Sequence, residues 1–131
     1  MEREKPDTFR LFLEISPQLF HESCSRQLSC YIAIMQYMKA TLIAKSKEIH
    51  DDGSIIEVVI WELSEPIPPC EHPYKYRLYF GSGGVCRIRY DNERGKGDHK
   101  HINADEMTYT FTTIDQLLDD FEDDITNWRE S

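Results

Sequence analysis

The sequence predicts an α+β domain: a largely antiparallel sheet of four to five strands, with a C-terminal amphipathic helix packed on one face and a short N-terminal helical extension. Three observations carry this expectation. Apolar residues recur with a period of two from Met38 onward. His50-Asp51-Asp52-Gly53 separates two such runs, and Asp-Gly supplies the positive φ that a tight hairpin needs. From about Thr113 to Arg129 the spacing turns helical, with Ile114, Leu117, Leu118, Phe121, Ile125 and Trp128 on one stripe.

The first strand is expected over Lys39 to Lys47, where Ala40, Leu42 and Ala44 alternate with Thr41, Ile43 and Lys45. The second, Ser54 to Glu62, sets Ile56, Val58 and Ile60 against Glu57, Val59 and Trp61. Pro66, Pro68 and Pro69 lack the N–H that a ladder requires, so Glu65 to Pro69 reads as a loop or an exposed edge. Tyr74 to Phe80 and Val85 to Tyr90, joined by Gly81-Ser82-Gly83-Gly84, read as the next hairpin. Tyr76, Leu78, Phe80, Cys86, Ile88 and Tyr90 take the core-facing phase, which places Lys75, Arg77, Arg87 and Arg89 together on the opposite face. Met107 to Phe111 reads as a short fifth strand. Thr113 and Gln116 make a capping-box pattern at the head of the helix, whose outer face carries Asp119, Asp120, Glu122, Asp123 and Asp124.

Residues 1–37 read differently. Leu28, Tyr31, Ile32 and Met35 suggest a short helix, while Leu11 to Pro17 fits strand or helix. The first strand begins directly after Met38, so residues 1–37 are expected to be an accessory extension or an over-long gene call in front of a domain spanning 38–131. The charged start, Met1-Glu2-Arg3-Glu4-Lys5, does not lead into the apolar core of a secretory signal. Leu28 to Met38 is about half the length of a bilayer span. A chain of 131 residues with 40% apolar and 11% aromatic side chains can bury a core, which excludes disordered and membrane-spanning classes. The cytoplasm is the expected location, and Cys24, Cys30, Cys70 and Cys86, without CxxC spacing, are expected to be thiols.

The formal charge of −9 is unevenly distributed. Residues 104–131 hold nine acids and one base, whereas residues 75–101 hold seven bases against three acids. A basic region therefore sits beside an acidic tail.

The segment that carries chemistry is Asp91-Asn92-Glu93-Arg94-Gly95-Lys96-Gly97-Asp98-His99-Lys100-His101. Eleven residues without an apolar side chain read as a polar loop facing water or a ligand. Gly95 and Gly97 would let the backbone approach an anion, with N–H groups available to phosphate oxygens, although the Walker A pattern is absent. Imidazoles beside cations suit RNA cleavage without a metal or other cofactor. A base takes the 2′-hydroxyl proton, cations stabilise the dianionic phosphate and an acid protonates the leaving 5′-oxygen. In that scheme Arg94 and Lys96 hold phosphate, and His99 and His101 share proton transfer. Asp98 or Glu93 acts as the base or orients a histidine, with Asp91 beside them. Lys75, Arg77, Arg87, Arg89 and Lys100 follow the RNA backbone. A metal reading competes, because Asp91, Glu93, Asp98, His99 and His101 are hard or borderline ligands, but their spacing matches no closed zinc motif. Cys70-Glu71-His72 is a weaker site, read as a loop thiol beside a solvated histidine.

The run from Tyr90 to His101 resembles the signature of the TumE-like toxin family of prokaryotic type II toxin–antitoxin modules. Asp52-Gly53 with Glu57 and Trp61, the Pro66 to Pro69 loop, and His72-Pro73-Tyr74-Lys75-Tyr76-Arg77-Leu78 match as well. The resemblance covers about residues 38–128 and leaves out the N-terminal stretch, which family members generally lack. It implies a small toxin whose partner is a cognate antitoxin, typically a helix-turn-helix protein. By size and layout the domain is similar to the RelE and ParE toxins, which include messenger-RNA endonucleases and gyrase inhibitors. The expectation is therefore an endoribonuclease toxin acting on messenger RNA, with a homodimer among the oligomeric states allowed. The alternatives are an interaction protein that sequesters a partner and a metal-dependent nuclease.

Overall fold

Six antiparallel strands form one sheet in the computed structural model, which describes residues 39–131. The strands are β1 (Ala40–Ile49), β2 (Ile55–Leu63), β3 (Tyr74–Ser82), β4 (Val85–Glu93), β5 (Gly97–Ile102) and β6 (Asp105–Thr108), and each pairs with the next in chain order. Helix α1 (Ile114–Glu130) lies across one face. The α+β architecture is as expected, but the sheet has six strands rather than four to five. The helical reading of residues 1–37 falls outside the described residues.

The extra strand, β5, comes from the polar segment. Asp91, Asn92 and Glu93 extend β4, Arg94 to Lys96 turn, and Gly97 begins β5. Apolar alternation is a signal of burial, so a strand whose side chains meet charged partners does not show it. The last strand begins two residues earlier than expected, behind the turn at Asn103, which adopts φ 54°.

The first hairpin follows the Asp-Gly signal. Gly53 takes φ 80°, its N–H donates to the His50 carbonyl, and Asp52 Oδ1 accepts from both the N–H and the hydroxyl of Ser54. Cross-strand register then places Ile56, Val58 and Ile60 beside Tyr76, Leu78 and Phe80, and these beside Ile88 and Tyr90. Leu117, Phe121 and Ile125 of α1 close the core over them. Each fully buried side chain of this size stabilises the fold by about 1.5–3 kcal/mol.

Two bulges shift the phase. Ile43 is the extra residue in β1, between Leu42 opposite Trp61 and Ala44 opposite Ile60. Arg87 is the extra residue in β4, since Phe80 faces Ile88 while Gly81 faces Cys86. Arg87 therefore leaves the face expected for it and stacks on Trp128 of α1, its Nε donating to the Ser82 carbonyl.

Thr113 caps α1 through its hydroxyl, which accepts from Gln116 N–H at 3.1 Å. The reciprocal half of the expected capping box does not form, because the Gln116 amide donates to Asp120 instead. The far end is tied down at both edges: Trp128 Nε1 donates to Asn103 and Arg129 donates to Ser54. No helix among the described residues is long and apolar enough to cross a membrane.

Candidate active site

Register divides the polar segment between the two faces of the sheet. Asp91 faces His99, Arg89 faces His101 and Asn92 faces Asp98 across β4 and β5. Alternation sends Arg89, Asp91, His99 and His101 to the face away from α1, and Asn92, Asp98 and Lys100 to the helix side. The expected single loop is thus two chemically distinct clusters, and Gly95 and Gly97 serve the turn between them. Both take positive φ. Gly95 N–H already donates to the Pro68 carbonyl, and a Cβ on Gly97 would lie 3.2 Å from the Pro69 ring. The anion cradle expected there is occupied by the proline loop.

On the face away from the helix, His99 is buried between two acceptors. Its Nδ1 donates to the Gly97 carbonyl at 3.0 Å and its Nε2 contacts the Asp91 carboxylate. Neither the Gly97 carbonyl nor the Asp91 carboxylate donates, so the surroundings favour the imidazolium form of His99. Burial opposes that charge, but the Asp91 hydrogen bond, the Gly97 carbonyl and the Asp91 charge outweigh it. The pKa of His99 consequently lies above the ordinary 6.5. Burial pushes Asp91 upward, yet the hydrogen bond and charge of His99, supported by Arg89 and Lys75, hold it below the usual carboxylate range.

His101 meets the opposite environment. Its Nε2 lies 2.9 Å from an Arg89 guanidinium nitrogen, which can only donate, so this nitrogen carries no proton and the ring is neutral. Burial and then the Arg89 charge hold its pKa below 6.5. The rings of His99 and His101 meet edge to face with centroids 5.4 Å apart. Arg89 also reaches Asp91 at 3.2 Å. Lys96 pairs with Glu106 of β6 at the exposed rim, which raises the lysine and lowers the glutamate. Arg94 is exposed at the turn tip and Glu93 is half-buried beside it.

The other cations expected on this face are not solvated. Lys75 and Arg77 are each 6% exposed. Lys75 donates to the Asn92 carbonyl, and Arg77 lies 3.7 Å from Glu57, which Lys47 also reaches at 3.2 Å. Three of the four expected bases, Lys75, Arg77 and Arg89, share the face, while Arg87 lies against the helix.

Asp98 does not orient His99 or His101. It accepts from His72 Nε2 at 2.8 Å, from the Tyr76 hydroxyl at 2.6 Å and from the Cys70 thiol at 3.5 Å. Burial pushes Asp98 upward, but the hydrogen bonds from His72 and Tyr76 prevail and lower it. Burial, followed by the Asp98 charge, raises the Cys70 thiol to about 11. Asn92 completes the cluster, donating to the Tyr74 carbonyl and accepting from Tyr76 N–H, and Phe111 lies 3.9 Å from the His72 ring by centroids. His72 is therefore not a solvated loop histidine. Sequence spacing missed its partnership because 26 residues separate it from Asp98. Lys100 also turns to the helix side, where it donates to Asp124 at 2.8 Å and to the Tyr90 hydroxyl. Asp120 and Asp124, expected on the outer helix face, accept instead from Tyr109 and Tyr90.

Among the described residues, two trios have metal-ligand chemistry, Cys70 with His72 and Asp98, and Asp91 with His99 and His101. In each the ligating atoms lie within 4.8 Å of one another. The protons imposed by their neighbours work against both. Tyr74 N–H donates to His72 Nδ1, so His72 Nε2 carries the ring proton that Asp98 accepts. In the second trio the Arg89 guanidinium occupies the side of His101 where a cation would sit, and the acceptors on both sides of His99 favour its protonated form. Metal uptake there would displace Arg89 and a proton.

No curated protein and no solved structure matches the chain. The family model described as Toxin TumE matches residues 39–129, which takes in every described strand, nearly all of α1 and both polar clusters. With that match covering more than half of its length, the chain belongs to the TumE toxin family, whose members are toxins of toxin–antitoxin modules.

Proposed function

We propose that this toxin is a metal-independent endoribonuclease that cleaves messenger RNA in the cytoplasm and is neutralised by a helix-turn-helix antitoxin. One observation carries the reading: two imidazoles on one sheet face are held in opposite protonation states by their neighbours. Pairs of titratable groups whose pKa values are driven apart assign an acid and a base. His101 takes the proton from the 2′-hydroxyl, and the 2′-oxygen attacks phosphorus. The bond to the 5′-oxygen breaks, and that oxygen receives the Nε2 proton of the His99 imidazolium as this N–H gives up its contact with Asp91. The products are a 2′,3′-cyclic phosphate and a 5′-hydroxyl. Arg89 exchanges its contact with His101 for the phosphate, joined by Lys96 and Arg94 at the rim, and these cations stabilise the crowded dianion. Asp91 holds His99 charged, and Glu93 borders the turn. Lys75 and Arg77, buried on the same face, contribute positive potential, whereas Arg87 and Lys100 lie outside the path of the RNA.

The test is incubation of the purified chain with RNA across pH, with product ends identified. Activity should rise as pH increases through the depressed pKa of His101, because the base must be neutral. It should fall as pH increases through the elevated pKa of His99, because the acid must be protonated. His101→Ala should remove about two to four orders of magnitude of rate, and chelator should change nothing. Full cleavage by His101→Ala would reject the assignment. Absence of cleavage by the folded wild type would leave a partner-sequestering protein as the reading to pursue.

A further inference from the structure

β6 ends the sheet, and its backbone has a specific orientation. The Tyr109 N–H donates to the Asp98 carbonyl, so the pair formed by residues 98 and 109 is a hydrogen-bonded one. In an antiparallel ladder such pairs alternate, which makes Lys100 with Met107 and Ile102 with Asp105 the next bonded pairs. Glu106 and Thr108 therefore direct their N–H and C=O groups away from β5, where no described strand meets them. All four residues of β6 are exposed. A short edge strand of this kind accepts a further strand.

Charge selects the partner. Asp105 and Glu106 lie on the strand, and Asp120, Asp123 and Asp124 belong to the helix that binds the neighbouring Tyr109, Tyr90 and Lys100. Lys96 and Lys100 offset Glu106 and Asp124, and the five acids still exceed these two lysines, so the margin repels RNA and a second copy of itself and attracts a cationic polypeptide. Glu106 is also the partner of Lys96 and lies 4.0 Å from His101, so whatever pairs with β6 stands at the rim of the candidate active site.

We infer that β6 is the docking edge for an extended, cationic segment of the antitoxin, which joins the sheet as a seventh strand and covers His101 and Lys96. The inference rests on membership of a toxin family that has antitoxin partners. It does not depend on the ribonuclease reading, because docking is measured as binding, whether or not the chain cleaves RNA.

Thr108→Pro removes an outward N–H without touching the bonds to β5, whereas Met107→Pro breaks the ladder itself. Calorimetric titration of the full chain with its antitoxin should show Thr108→Pro binding at least about tenfold more weakly. Asp105→Lys should weaken binding and flatten its salt dependence. Wild-type affinity in a folded Thr108→Pro protein would overturn the proposal. Hydrogen exchange on the unmodified chain gives a reading even if that variant fails to fold. The Glu106 and Thr108 amides should exchange rapidly in the toxin alone and become protected in the complex. Unchanged exchange on binding would overturn the proposal. So would protection in the toxin alone accompanied by dimerisation, which would place a second copy on the edge.

Discussion

His99 and Asp91 are each 3% exposed, which makes their contact a buried ion pair whose two members titrate in opposite senses. Asp91 has a folded pKa below its unfolded value. Its stabilising contribution is present above the unfolded value and is lost as pH falls through the folded one. His99 has a folded pKa above its unfolded value. Its contribution is complete below the unfolded value and is lost as pH rises through the folded one. The pair therefore supports the fold most between the carboxylate and imidazole ranges. Asp91→Asn should flatten both limbs of a urea-stability profile against pH, lower the His99 pKa in an NMR titration, and cost about 3 kcal/mol near neutrality. Three buried tyrosines show the complementary rule. Tyr76, Tyr90 and Tyr109 each donate to a carboxylate, of Asp98, Asp124 and Asp120 respectively, and burial followed by that hydrogen bond raises all three phenols. A core phenol needs an acceptor, and these acids supply it.

Among the elements, the β4–β5 hairpin positions the candidate site. Its turn is fastened from outside: Gly95 N–H reaches the Pro68 carbonyl, Gly97 packs on Pro69, and Asp98 gathers His72, Tyr76 and Cys70. Asp98 is accordingly a fastening between the 64–73 loop and β5. Asp98→Asn replaces an acceptor oxygen by a donor facing N–H and O–H groups, which should cost about 1–3 kcal/mol in denaturant titrations. The shape of the RNA-cleavage pH profile should stay as in wild type, since His99 and His101 remain. A changed lower limb would instead make Asp98 a base. Helix α1 shows the ordinary logic of an apolar stripe on a sheet. Phe121 is fully buried against Tyr90, so Phe121→Ala should lower stability by about 3–5 kcal/mol.

At the scale of the whole molecule, the meander produces a sheet with two unlike faces. One carries the aromatic and aliphatic core under α1, and the other carries buried and rim charges that culminate in the two histidines. The acidic helix α1 lies on the face opposite the proposed RNA path, and the acidic strand β6 forms the proposed antitoxin edge. An alternating ladder makes this division possible, because neighbouring residues of one strand serve opposite faces. At this scale the two proposals separate cleanly. RNA cleavage and its pH dependence report on the histidine face, and antitoxin affinity reports on the edge.

The linear pattern determined what depends on local periodicity and turn chemistry. Alternation located β1 to β4, Asp52-Gly53 set the first turn, and the stripe from Ile114 to Trp128 defined α1. Residue types also singled out the 91–101 segment as the candidate site, and it lies within the 39–129 family match. Pairing across the sheet lay beyond that pattern. It made a hairpin of the polar segment, sent Asp98 and Lys100 to one face and His99 and His101 to the other, and moved Arg87 off its expected face through a single bulge. It also brought His72 to Asp98 and set Arg89 against His101, the contacts that decide which groups carry protons. Hydrophobic spacing reports how a residue meets water, whereas protonation depends on which donor or acceptor the fold places beside it. Only the assembled sheet determines that neighbour.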